Sequence, residues 1–199
     1  MADFEEVTVT LQSGTDVKIH AWPGHGGTQP LVFVASESLP ADWNEFASLV
    51  GPSHSPILAD ISSAMDLLML IWEIGEPVLI LSQGQVATNI VSKLVTSAPA
   101  AATSIIICDG LIHSDQLNEM HEISTLIMRG RQSSALTHET AVQLHGTLRH
   151  STLIELENCG DFPAKNNPDA AASAVNWFLS GPSNSDDEFT GSEPIDPKA

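Results

Sequence analysis

The sequence predicts an α/β fold built on a mostly parallel sheet of about eight strands, with an N-terminal hairpin and helices on both faces. Two observations predict it. Short apolar runs of strand length alternate with longer stretches of helical periodicity, and most of these runs are apolar at every position, as strands covered on both faces must be. The N-terminus, in contrast, alternates with period two.

Residues 6–11 (EVTVTL) and 17–22 (VKIHAW) flank the turn signal Ser13-Gly14-Thr15 and read as a hairpin. Six further strands are expected at 30–36, 56–61, 77–82, 104–109, 124–129 and 151–156. Helices are expected at 41–50, 63–75, 85–97, 137–148 and 168–180. Gly75-Glu76-Pro77 stops the second helix and Ala98-Pro99 the third. Asn167-Pro168-Asp169 starts the last, with Asn as cap and Pro at the first helical position. Residues 1–180 form one domain on this reading. Residues 181–199, with five acids, three Pro and three Ser, read as an acidic disordered tail.

Composition excludes several functions. The 199 residues hold 7 Lys+Arg against 25 Asp+Glu, a net charge of −18, which leaves few groups to meet nucleic-acid phosphates or an anionic membrane. Tyr is absent and aromatics are 5%, against a base-stacking surface. No apolar run reaches the ~18 residues of a membrane span. The acidic, polar start MADFEEV is not a signal peptide. Cys108 and Cys159 make neither a disulfide framework nor a zinc quartet. A cytoplasmic protein without a cofactor is expected.

Four phrases, in order, resemble the α/β-hydrolase fold family over roughly residues 6–180. LVFVASESLPADW (31–43) is similar to the strand, loop and helix that carry the oxyanion loop. PVLILSQGQVATNIV (77–91) is similar to the strand, elbow and helix around the nucleophile. TLIMRGRQSSALT (125–137) resembles the strand and loop of the acid, and TLIELENCGDFPAKNNP (152–168) those of the histidine. The resemblance implies a capless α/β-hydrolase core, because 109–124 leaves room for only one short helix. It also implies vestigial triad positions. Gly84 stands where the nucleophile would be, Ser133 (or Ser134) at the acid and Asp161 at the histidine, while Ala35-Ser36 replaces the His-Gly of the oxyanion loop. Each loss costs orders of magnitude in rate. Ser82, two residues before the elbow, should point away from the site.

The expected function is therefore a non-catalytic binding or assembly module, a homo-oligomer or a subunit of a complex. The alternative is an enzyme with a non-standard site around Glu37, Gly84 and Asp161. Ser36, Glu37, Gln85 and Asp161 are the expected ligand-binding residues of a shallow depression, where the two carboxylates would suit a cation, an amine or a metal. His113, Asp115, Glu119, His121 and Glu122 read as an exposed acidic stretch, not as metal ligands, and no metal is expected. Pro23-Gly24-His25-Gly26-Gly27 joins two strands and reads as a loop. The helix at 63–75 is apolar nearly all round apart from Asp66 and Glu73, so something besides the sheet should cover it. Met69 and Trp72 are its expected interface anchors.

Overall fold

The computed structural model describes residues 4–23, 29–35, 38–117, 119–120 and 122–180. The expected ligand residues Ser36 and Glu37, His121, the loop glycines Gly24, Gly26 and Gly27, and the 181–199 tail lie outside them.

Eight strands form one sheet: β1 (Glu5–Thr10), β2 (Asp16–Ala21), β3 (Gln29–Ala35), β4 (His54–Ala59), β5 (Val78–Gln83), β6 (Ala102–Cys108), β7 (Ser124–Gly130) and β8 (Ser151–Leu156). Their order is β1-β2-β4-β3-β5-β6-β7-β8. β1–β2 and β2–β4 are antiparallel, and every other pair is parallel. The helices are α1 (Asn44–Val50), α2 (Ala64–Ile74), α3 (Gly84–Ser97), α4 (Ser114–Leu117), α5 (His138–Thr147), α6 (Pro163–Asn166) and α7 (Pro168–Ser180).

The all-apolar strands split their side chains between two cores, since successive residues face opposite sides of a sheet. Val32 and Val34 of β3 meet α2 and α3, whereas Leu31 and Phe33 meet α1 and α7. The caps read from sequence form. The Ser63 hydroxyl accepts from Asp66 N at 3.1 Å, and Asn167 Oδ1 accepts from Ala170 N at 3.3 Å. Three expectations need correction. The helix expected at 41–50 starts with a tighter 3-10 turn, Pro40–Trp43, because Pro opens it and Asp42 accepts the Leu39 amide at 3.2 Å. The strand expected at 104–109 runs from Ala102 and ends at Cys108, since Asp109 turns into the left-handed region at φ 52°. α6 lies in what reads as loop, four residues being too short to show a helical period.

The loop after β7 is anchored from below by a buried ion pair. Arg129 pairs with Glu155 on neighbouring β8, and both side chains are almost wholly buried. Arg129 Nε also donates to Leu136 O at 2.8 Å, and the Glu155 carboxylate pairs with His138 Nδ1 at 3.0 Å. Burial raises the Glu155 carboxyl, but the His138 hydrogen bond and Arg129 outweigh it and hold it below the usual range. Removing one partner of such a pair strands a charge in the core. Arg129→Ala should therefore cost ~3–5 kcal/mol in urea unfolding. A loss under ~1 kcal/mol would mean that Glu155 reaches water.

Candidate functional site

The site lies at the C-terminal edge of the parallel strands, where open α/β sheets place ligands. β5 ends at Gln83 and α3 begins at Gly84, whose φ of 79° makes the sharp strand-to-helix turn. Glycine adopts that conformation without steric cost. A Cβ added at Gly84 would meet nothing within 4 Å. Ser82 is buried behind the turn, within hydrogen-bond reach of Thr88 Oγ1 (3.2 Å) and Ile106 O (3.4 Å), and does not face the opening.

Above Gly84 is a depression of about 380 Å³ lined by Ala35, Ser38, Gln83, Gly84, Gln85, Val86, Asp161 and Phe162. No histidine, cysteine, lysine or arginine is among these residues. Trp43 supports its wall from below. It is fully buried, donates to Ser38 Oγ at 2.8 Å, and packs between Phe33 and Phe162 with ring centroids at 4.7 and 5.1 Å.

Asp161 lies on the loop after β8 and lines the depression. Its Oδ1 accepts from Ser133 Oγ (2.7 Å), Ser134 N (2.6 Å) and Ala135 N (3.0 Å), and its Oδ2 from Ser134 Oγ (2.9 Å). These donors, the Ala135 amide and Ser133 hydroxyl foremost, hold its pKa at about 2. The structure thus brings together Ser133, Ser134 and Asp161, with the carboxylate on the β8 loop and the donors on the β7 loop. Gly130 permits the approach. A Cβ there would fall 2.2 Å from the Cys159 carbonyl oxygen and 2.4 Å from that of Gly160, both backbone atoms that cannot give way. Gln132 N donates to the same Cys159 oxygen at 2.9 Å.

Gln85 lines the depression, but its amide is occupied within the chain. Nε2 donates to Asn89 Oδ1 and Leu111 O, both at 2.8 Å, and Oε1 accepts from Leu111 N at 3.0 Å. Gln83 Nε2 donates to the Asp161 carbonyl at 2.7 Å, while its buried Oε1 has no hydrogen-bond partner.

Sequence reasoning missed Asp109. It ends the apolar run SIIICD, is 2% exposed, and has no hydrogen bond of good geometry to either carboxyl oxygen. A lone acid closing a buried strand at this edge of the sheet was the available signal. Burial pushes its pKa up to about 7. Asp161 adds to the rise, and Ser133, Arg129 and Gln83 oppose it. Burial disfavours the thiolate form of both cysteines as well. Burial and the neighbouring carboxylates push Cys159 up to about 11, and burial raises Cys108 well above its ordinary value. Among the described residues no three His, Cys, Asp or Glu side chains form a metal-binding group, and His113, Asp115, Glu119 and Glu122 do not converge on one.

No family model matches the sequence, and no curated protein matches it. Solved structures match closely in shape. A membrane phospholipase A described as a bacterial virulence factor superposes with a TM-score of 0.74 at 12% identity, over 90% of this chain and 87% of its own. A thermophilic esterase from Thermogutta terrifontis gives 0.73 at 11% identity, over 88% and 98%. An E-2-(acetamidomethylene)succinate hydrolase gives 0.74 at 10% identity, over 89% and 99%. The chain has the α/β-hydrolase fold, as the order of its elements predicts.

The Asp109 proton has a measurable consequence. The folded state keeps a proton that the unfolded chain, with an ordinary carboxyl near 3.8, has lost above that pH. The stability it confers is complete below about pH 4 and is lost as pH rises through about 7. Urea unfolding of the wild type should therefore weaken between pH 5.5 and 8 more steeply than that of Asp109→Asn. The variant should be more stable at pH 8 by ~2–4 kcal/mol. Equal slopes would contradict a buried Asp109 proton.

Proposed function

We propose that this chain is a non-catalytic protein of the α/β-hydrolase fold that works as a binding or assembly module, as a homo-oligomer or as a subunit of a larger complex. Its two buried free thiols suit a reducing, cytoplasmic setting. One observation carries the reading. The elbow keeps its backbone turn but holds Gly84, and the carboxylate in the histidine's place is engaged by the Ser133–Ala135 segment. Acyl transfer needs a nucleophile and a base that removes its proton. Glycine offers no nucleophile. A carboxylate held at about 2 is a poor proton acceptor near neutrality, where an effective base needs a pKa close to the working pH.

A second reading is an enzyme with a non-standard site around Glu37, Gly84 and Asp161, of hydrolase, lyase or isomerase type. Asp109 favours it, since a general acid near neutral pH needs a raised pKa. Its near-complete burial and its absence from the lining count against it.

A panel of p-nitrophenyl esters, lactones and thioesters decides between them. The rate with protein should equal the buffer rate. Turnover well above buffer, and lost on unfolding, would overturn the non-catalytic reading. Gly84→Ser should fit the open space at the elbow and remain inactive, because no imidazole lines the depression to activate the new hydroxyl. Its positive φ should cost ~1–2 kcal/mol of stability.

A further inference from the structure

We propose that the groove between α2 and the end of α3 docks a segment of a partner protein that carries bulky apolar side chains flanked by lysine or arginine. The proposal rests on the binding-module reading and names its surface and partner chemistry.

The groove has a volume of about 480 Å³ and lies away from the depression; Leu68, Ile71, Trp72, Pro77, Ala98 and Ala101 are among its lining residues. The sequence expectation of a second cover for this helix begins here. Leu67, Leu70 and Ile71 of α2 are buried on the sheet, and Leu68, Met69 and Ile74 are partly buried against the same core. Met65 and Trp72, however, are 56% and 57% exposed. They stand seven residues apart, two helical turns, on the face that also carries Leu68 and Met69. The apolar stripe from Met65 to Trp72 is thus about 10 Å long, and its Trp72 end lines the groove. An elongated strip continuous with a groove fits a peptide segment better than a compact small molecule. Exposed Trp and Met together mark the composition of interface centres.

Charge selects the partner. Glu76 lines the groove and Glu73 follows Trp72; both are exposed, and neither makes an ion pair or hydrogen bond among the described residues. No Lys or Arg lies on α2 or lines the groove. A second copy of this chain would bring its own Glu73 and Glu76 to the same place and a further net charge of −18 with it. A basic, apolar segment instead meets both the groove and its two unpaired carboxylates. Complementary charges at the rim raise the association rate and reject acidic competitors.

The test uses the full chain and two labelled peptides of about 15 residues, each with a Leu/Trp face on one side of a helix. One carries Lys on its flanks, the other Glu at the same places. Fluorescence anisotropy should show saturable 1:1 binding of the Lys peptide, weakened by added salt, and none of the Glu peptide. Trp72→Ala should weaken binding at least tenfold, as should the pair Glu73→Lys with Glu76→Lys. The pair Glu5→Lys with Glu139→Lys makes the same change in net charge on other surfaces and should leave binding nearly unchanged. Absence of saturable binding by the Lys peptide, equal binding of both peptides, or equal losses in the two charge-reversal pairs would overturn the proposal. A light-scattering mass of twice the chain's, returned to one chain by Trp72→Ala, would assign the groove to a second copy and overturn it as well. The ester panel is independent, so a failed groove leaves the non-catalytic reading standing, and ester turnover would remove that reading whatever the peptides do.

Discussion

The carboxylate of Asp161 fixes the upper edge of this molecule. It gathers two hydroxyls and two backbone amides from the loop after β7 and so ties that loop to the one after β8. Loops that leave adjacent parallel strands have no ladder to hold them together beyond the strand ends. Here Arg131 N still reaches Leu156 O at 2.9 Å and Gln132 N reaches Cys159 O, after which the chain relies on side chains. Charge-assisted bonds to backbone amides are the strong kind, which is why one exposed carboxylate suffices. Arg129 and Glu155 anchor the same loop from beneath, and Gly130 lets the two backbones touch. The depression inherits its wall from this arrangement, since the Asp161 carbonyl holds Gln83 and Phe162 follows it in the chain.

The link between the two loops has its acceptor on the β8 loop and its donors on the β7 loop, so a single carboxylate makes the connection. At the turn between β5 and α3 the positive φ is met by glycine at no conformational cost. Fold alone does not carry function, and the α/β-hydrolase fold shared with the Thermogutta terrifontis esterase sets the frame in which the site residues must be read.

Much of this was legible in the sequence, for identifiable reasons. Strands such as VLILS and SIIIC are short, apolar and bounded by breakers, so their burial on both faces follows from pattern alone. The caps Ser63 and Asn167 and the stop at Gly75 are local signals that need no tertiary information. The glycine at the turn into α3 was legible because Gly84 can be read straight from the sequence. What the sequence hides is what depends on distance through space. Asp109 reads as the last letter of a strand until the fold buries it beneath Gln83 and beside Ser133. Gly130 is only the residue after the strand expected at 124–129 until the Cys159 carbonyl is seen against it. Asp161 reads as a free anion able to hold a cation, and only the loop geometry supplies its four donors. Gln85 likewise reads as a ligand contact before Leu111 occupies both ends of its amide.

If Asp161 is a structural acceptor that holds two loops together, the amides it binds should be protected from solvent exchange by it and by nothing else. Amide hydrogen exchange at Ser134 and Ala135, compared between wild type and Asp161→Ala, tests this directly. The account predicts that both amides exchange at least tenfold faster in the variant, with amides inside β7 and β8 unchanged. Equal protection in the two proteins would show that the loops hold without the carboxylate, and would leave Asp161 free for the ligand or proton chemistry that this account denies it.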